Sequence, residues 1–204
     1  MFGAIREYIE AILIAVLVFF ILQISVQNFK VEGSSMEPTL EDGEYLLVNK
    51  LVYLRIDMER FSDLIPFWQV EDEEAHFLFH PPRQGEVIVF RYPLAPDRDF
   101  VKRVVAVPGQ TVEIKQGMLY VDNEPLKGPY AGTGEASEYM PPHRLGPDEY
   151  FVVGDNRPYS SDSRDWGPVP LENIVGKAWV TYWPFSRLGF LGRAVSPGAV
   201  PSSP

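Results

Sequence analysis

Residues Glu86–Val121 read EVIVFRYPLAPDRDFVKRVVAVPGQTVEIKQGMLYV. Short apolar and β-branched runs alternate here with Gly and Pro punctuation, the signature of strands joined by turns. Glu86–Tyr92, Phe100–Val107, Thr111–Lys115 and Met118–Val121 are the predicted strands, and Gln116-Gly117 is a two-residue hairpin turn. Outward from this stretch the same texture continues in Tyr45–Val48, Tyr150–Val153 and Ala178–Trp183. The 19 prolines and 16 glycines disfavour long helices. The fold class expected is mostly β, with an antiparallel domain over residues 28–190, an irregular insert at 53–80 and a small hairpin cap at 110–149. Phe61, Phe67, Trp68, Phe77 and Phe79 flank the acidic run Glu71–Glu74 in that insert. The Pro/Ser/Gly-rich stretch 191–204 is expected to be disordered.

The N-terminal region breaks this pattern. Ile9–Val26, IEAILIAVLVFFILQISV, carries one charge, Glu10. As a helix, 18 residues span roughly 27 Å, close to the hydrocarbon thickness of a bilayer. A cleaved leader would want a basic start and small residues before a cleavage point. Here Glu7 offsets Arg6 and no Ala-x-Ala pair follows. The reading is a short tail at 1–8 and a retained transmembrane anchor at 9–27. Arg6 leans the N-terminus toward the cytoplasm. No second run of this length follows, so the remainder lies on one side.

Composition narrows the chemistry. Lys+Arg 18 against Asp+Glu 28 gives 18 − 28 = −10, which argues against nucleic acid as a partner. With Cys 0, thiol nucleophiles, disulfides and Cys-ligated metals are excluded. His76-x-x-x-His80 has helical ligand spacing, but its extended, proline-flanked setting and the lack of a third ligand argue against a metal.

Three segments carry candidate chemistry. Gly33-Ser34-Ser35-Met36-Glu37-Pro38-Thr39-Leu40 follows the anchor and reads first as a turn. It is not a nucleophile elbow, since Glu37 stands where the second glycine belongs. In Asp99–Gly109, Lys102 and Arg103 sit inside an apolar strand, so alternation turns one of them inward. A desolvated lysine loses its proton more readily and becomes a base for a serine. Gly154–Gly167, GDNRPYSSDSRDWG, follows a strand and is dense in hydrogen-bonding groups.

An anchor followed by SSMEPTL, PPRQGEVIVFRYP, DFVKRVVAVPGQ and GDNRPYSSDSRDWGPVP, in this order, resembles the type I signal peptidase family. The match runs from the anchor to about Pro184. The resemblance implies a Ser–Lys dyad serine endopeptidase that removes signal peptides from exported preproteins. It implies a single-pass protein of the cytoplasmic membrane with an extracytoplasmic catalytic domain, and no cofactor. Membrane lipid, and the secretion translocon, are the further partners expected.

By that resemblance Ser35 is the nucleophile and Lys102 the general base. Ser160 orients the lysine, Asp162 and Arg164 brace the site, and Asp155 and Asn156 shape the same loop. Some members carry a serine two residues before the nucleophile as an oxyanion donor. Gly33 stands there, so the hole falls to the Ser35 backbone N–H and the Gly33 region. Phe29, Val31, Met36, Leu40 and Val101 match positions that bind an extended substrate with small side chains. Two alternatives stand beside this reading: another Ser–Lys processing protease of pilin or conjugation type, and an inactive anchored β-domain serving assembly.

Overall fold

The computed structural model describes residues 2–56, 76–128 and 134–191. Most of the insert 53–80 and all of the 191–204 tail but Leu191 lie outside the described residues.

Helix α1 spans Phe2–Ser25. Within it, Arg6–Ser25 is long and apolar enough to cross a membrane, with mean hydropathy 2.4. The helix departs from the expected boundaries at both ends. Phe2–Tyr8 are helical and not a separate tail, and Val26-Gln27 have left the helix for strand β1 (Val26–Lys30). Pairing explains the second correction. Val26 to Lys30 lie antiparallel to Asn49 to Tyr45 of β2 (Tyr45–Asn49), and that ladder claims the backbone the helix would need.

The remaining strands are β3 (Arg55–Ile56), β4 (His76–Phe77), β5 (Val87–Tyr92), β6 (Ala95–Ala106), β7 (Thr111–Lys115), β8 (Met118–Val121), β9 (Glu124–Pro125), β10 (Met140–Arg144), β11 (Glu149–Val153), β12 (Val169–Pro170), β13 (Ile174–Trp183) and β14 (Gly189–Phe190). An 8-stranded sheet runs β1-β2-β13-β5-β6-β11-β12, with β14 on β13. A 4-stranded sheet runs β10-β7-β8-β9, and its β7–β8 turn places Gln116 and Gly117 at φ 53° and 75°. That is the doubly left-handed geometry of a tight hairpin. The pairings are antiparallel.

The large sheet is covered on both faces. In β5, Val87 and Val89 join one buried cluster with Val31, Met36, Leu40, Leu46, Val48, Val101 and Ala178. Ile88 and Phe90 join another, with Tyr53, Val104, Tyr150, Val152 and Val169. A third cluster, from Val105 and Phe151 to Ile114 and Leu119, joins the two sheets. β11 ends at Val153, opposite Arg103 of β6. Beyond that register the chain on the β11 side becomes the Gly154–Gly167 loop, so this loop begins beside Lys102. On the other side, the β1–β2 hairpin is extended by Val31 N–H donating to Glu44 O (2.8 Å) and Gly43 N–H donating to Val31 O (3.0 Å). The excursion between them carries Ser35.

Candidate active site

Lys102 and Arg103 are adjacent in β6 and both buried, 5% and 9% exposed. The alternation argument expected only one of them inside. Both are buried because the large sheet is covered on both faces.

Lys102 Nζ lies 2.5 Å from Ser35 Oγ. Among the described residues no carboxylate pairs with this amine, and the Phe100 ring stands 5.7 Å from it. Burial pushes the Lys102 pKa down to about 8; the field of Arg164 pushes the same way, and Asp162 and Asp155 oppose it. A buried ammonium with no anion of its own is disfavoured, so the neutral amine becomes accessible near physiological pH.

Arg103 meets a different environment. Its Nε and Nη2 donate to Asp155 Oδ1 and Oδ2 at 2.8 and 2.6 Å, and Nη1 donates to Gly85 O at 2.7 Å. Nη2 also lies 3.2 Å from Thr39 Oγ1, which donates to Asp155 Oδ2 at 2.5 Å. This bidentate pair ties β6 to the Gly154–Gly167 loop and to the turn bearing Ser35.

The Ser35 turn is also tied through its carbonyls. Asn156 N–H donates to Ser35 O (3.0 Å), and Asn156 Nδ2 donates to Ser34 O (3.0 Å). The approach is close. A Cβ on Gly154 would sit 2.4 Å from Ser35 O and 2.3 Å from Ser160 Oγ. Glycine is required there by contact rather than by backbone angle.

Asp162 is fully buried and gathers the loop around itself. It accepts from Gly154 N–H (2.9 Å), Ser160 Oγ (2.7 Å), Arg164 Nε (2.7 Å) and Arg164 Nη2 (2.9 Å). It also caps helix α2 (Ser163–Trp166) by accepting from Arg164 N–H (3.3 Å). Arg164 donates onward to Arg157 O, Ser160 O and Glu138 Oε1. Burial works to lower its pKa, but the bonds and charges of Asp162 and Glu138 together outweigh it and raise the value.

Ser160, expected to orient the lysine, gives its proton to Asp162. No hydrogen bond joins it to Lys102. The carboxylate is the stronger acceptor, and a hydroxyl has one proton to give.

Gly33 has φ +85° and its N–H donates to Asp42 Oδ1 at 2.7 Å. That N–H is therefore committed, whereas the Ser35 N–H has no partner among the described residues. Of the five expected substrate positions, Val31, Met36, Leu40 and Val101 are packed into the core at 0–7% exposure, and Phe29 packs half-buried against them. Four of them thus belong to the hydrophobic cluster under the Ser35 turn, with little free surface.

Sequence reasoning singled out Ser35, Lys102 and the later loop, and it missed Thr39, Gly154 and Glu138 and the structural part of Arg103. Gly154 and Thr39 lay inside the quoted motifs but had no chemistry to advertise. Glu138 had no local signal at all.

The model of the family described as signal peptidase, peptidase S26, matches residues 5–183. A probable signal peptidase I-1 of Synechocystis is 36% identical over 92% of this chain and 87% of its own length. Signal peptidase I of Pseudomonas aeruginosa is 35% identical over 81% of this chain and 72% of its own. Signal peptidase IB of Staphylococcus aureus is 32% identical over 90% and 92%.

Proposed function

The chain belongs to the signal peptidase family, peptidase S26, and we propose that Ser35 and Lys102 are the nucleophile and general base of its reaction. It is a serine endopeptidase that removes signal peptides from preproteins. The observation that carries the residue assignment is the 2.5 Å approach of Lys102 Nζ to Ser35 Oγ, made by a buried amine with no carboxylate partner among the described residues.

The steps follow from that geometry. Neutral Lys102 takes the Ser35 proton as Oγ attacks the scissile carbonyl. The carbonyl oxygen becomes an oxyanion, and the Ser35 N–H, which has no partner among the described residues, is the donor available to it. Gly33 N–H, held by Asp42, is not. Lys102, now an ammonium, returns the proton to the departing amine, leaving an acyl ester on Ser35. Water, deprotonated by the neutral Lys102, attacks the ester, and the proton then passes to Ser35 Oγ as the signal peptide leaves. Asp162, Arg164, Asp155, Asn156 and Ser160 act by holding the two loops together.

The substrate is read as an extended strand beside the Ser35 turn. Val31, Met36, Leu40 and Val101 form the floor beneath it, Phe29 its flank, and this apolar floor favours small side chains at −1 and −3. Helix α1 anchors the protein in the cytoplasmic membrane with its N-terminus inside and the β-domain outside. Trp183 and Phe185, 47% and 73% exposed, are the surface we assign to lipid, the translocon being the further partner that delivers preproteins.

The test is cleavage of a preprotein by the detergent-solubilised full chain, beside Ser35→Ala and Lys102→Ala. Cutting after Ala-x-Ala by wild type alone supports the dyad. Cutting by Ser35→Ala would move the chemistry elsewhere. An inactive wild type would favour an assembly role.

A further inference from the structure

The turn that carries Ser35 is gripped from two directions. One grip is the Arg103–Asp155–Thr39 cluster described above. The other comes from the far end of the chain. Arg187, just after β13, donates from Nε to Glu44 Oε1 at 2.6 Å, sets Nη1 3.1 Å from Glu41 Oε1, and donates from Nη2 to Pro38 O at 3.3 Å. Glu44 is only 2% exposed. Its main-chain carbonyl accepts from Val31 N–H, so one residue links Arg187 to the point where the chain leaves for Ser35. Pro38 and Thr39, consecutive residues shortly after Ser35, are where the two grips meet.

We infer that Arg187 is a positioning residue for the nucleophile, fixing the Ser35 turn against Lys102 through Glu44, Glu41 and the Pro38 carbonyl. This rests on Ser35 being the nucleophile. A guanidinium suits the task because its rigid fork reaches three acceptors in set directions, whereas an ammonium is a point charge on a flexible stem. The bond to Glu44 raises the Arg187 pKa further, so the grip persists across the working pH range. The buried Glu44 carboxylate in turn needs a cation, and Arg187 is its ion-pair partner among the described residues. The consequence is kinetic. The Ser35–Lys102 contact is short, and a displacement of about 1 Å at a reacting group can lower turnover by about 10².

The experiment uses the full chain in detergent micelles and a fluorogenic peptide spanning an Ala-x-Ala site. Kinetics are measured at a temperature where circular dichroism shows every variant folded. Arg187→Gln should lower kcat by about tenfold or more with KM within about twofold, and Arg187→Lys should fall between it and wild type. The pH at which activity rises should not move, because the burial and the charges of Asp162, Arg164 and Asp155 that set the Lys102 pKa are untouched. The double variant Glu44→Gln/Arg187→Gln removes the stranded carboxylate. It should regain thermal stability but not kcat, which separates positioning from mere stability. Wild-type kcat in either Gln variant, with only the melting temperature lowered, would overturn the inference. Ser35→Ala, run alongside, tests the premise. If it is inactive, Arg187 is judged on its own kinetics. If it still cuts, the nucleophile assignment and this inference fall together.

Discussion

As the proposed base, Lys102 must be neutral to accept the Ser35 proton, so kcat/KM should climb with pH and level off through a pKa of about 8. Below that value the neutral fraction falls about tenfold per pH unit. At pH 7 roughly one lysine in ten is ready, against about one in 2,500 for an unperturbed lysine near pKa 10.4. The same displacement bears on stability. The folded pKa lies below the unfolded one, so from about pH 8 to 10.4 the unfolded chain binds more protons and stability rises with pH. Below that window, holding the ammonium inside costs about 3 kcal/mol, one pKa unit being worth about 1.4. Neighbouring charges give the sharper test because they act with opposite sign. Asp162 raises the Lys102 pKa and Arg164 lowers it. Asp162→Asn should therefore move the rise of kcat/KM to lower pH, and Arg164→Gln should move it to higher pH, whatever each does to the plateau. The assay is peptide cleavage from pH 6 to pH 10 at fixed detergent, on variants that circular dichroism shows folded. A wild-type rise centred near pH 10.4, or shifts of the same sign in both variants, would refute Lys102 as a desolvated base tuned by these two groups.

Two other substitutions probe the packing between the loops. Gly154→Ala places a methyl 2.3–2.5 Å from Ser160 and the Ser35 carbonyl. Thermal melts should show a loss of about 1–3 kcal/mol, and peptide cleavage should fall about 10²-fold as the Ser35 turn is pushed away. Asn156→Ala removes the side-chain bond to Ser34 O but keeps the backbone bond to Ser35 O. It should lower stability by about 1 kcal/mol and reduce kcat with little change in KM, as read from steady-state kinetics and a denaturant titration.

Where the sequence could be read, and where it could not, follows from the range of the forces. Thr111–Lys115 and Met118–Val121 were legible to the residue, because their alternation and the Gln116-Gly117 turn are local signals. β1 was not. It continues an apolar run without a breaker, and only its ladder to β2, some twenty residues away, separates it from the helix. β10 was hidden by Pro141-Pro142, which supply no N–H to a ladder, yet an edge strand tolerates them. The start of β13 was obscured by Gly176 and Lys177. In the site, Ser35 and Lys102 were legible because their types and setting carry chemistry. Their supports were not. Thr39 and Asp155 are 116 residues apart, and Arg187 and Glu44 are 143 apart. Neither pair leaves a local trace. The five substrate positions illustrate the converse: apolar residues in a motif look alike whether they line a pocket or fill the core beneath it.

The pair Lys102-Arg103 shows how the fold draws two functions from one burial. Both cations are nearly equally withdrawn from water, so desolvation alone does not distinguish them. Their partners do. Arg103 receives both oxygens of Asp155, a carboxylate itself only 3% exposed, and a backbone carbonyl besides. It becomes a brace. Lys102 receives a hydroxyl, with carboxylates near enough to be felt but not to pair. Its ammonium is therefore uncompensated, and the proton is the part that yields. Exchanging the two residues would fail on both counts. An arginine at 102 does not deprotonate and offers no base. A lysine at 103 presents one point charge where Asp155, Thr39 and Gly85 are matched to a fork. The proposed base and the brace beside it thus differ through the inequality of two adjacent sites, and that inequality is set by the loops packed against β6.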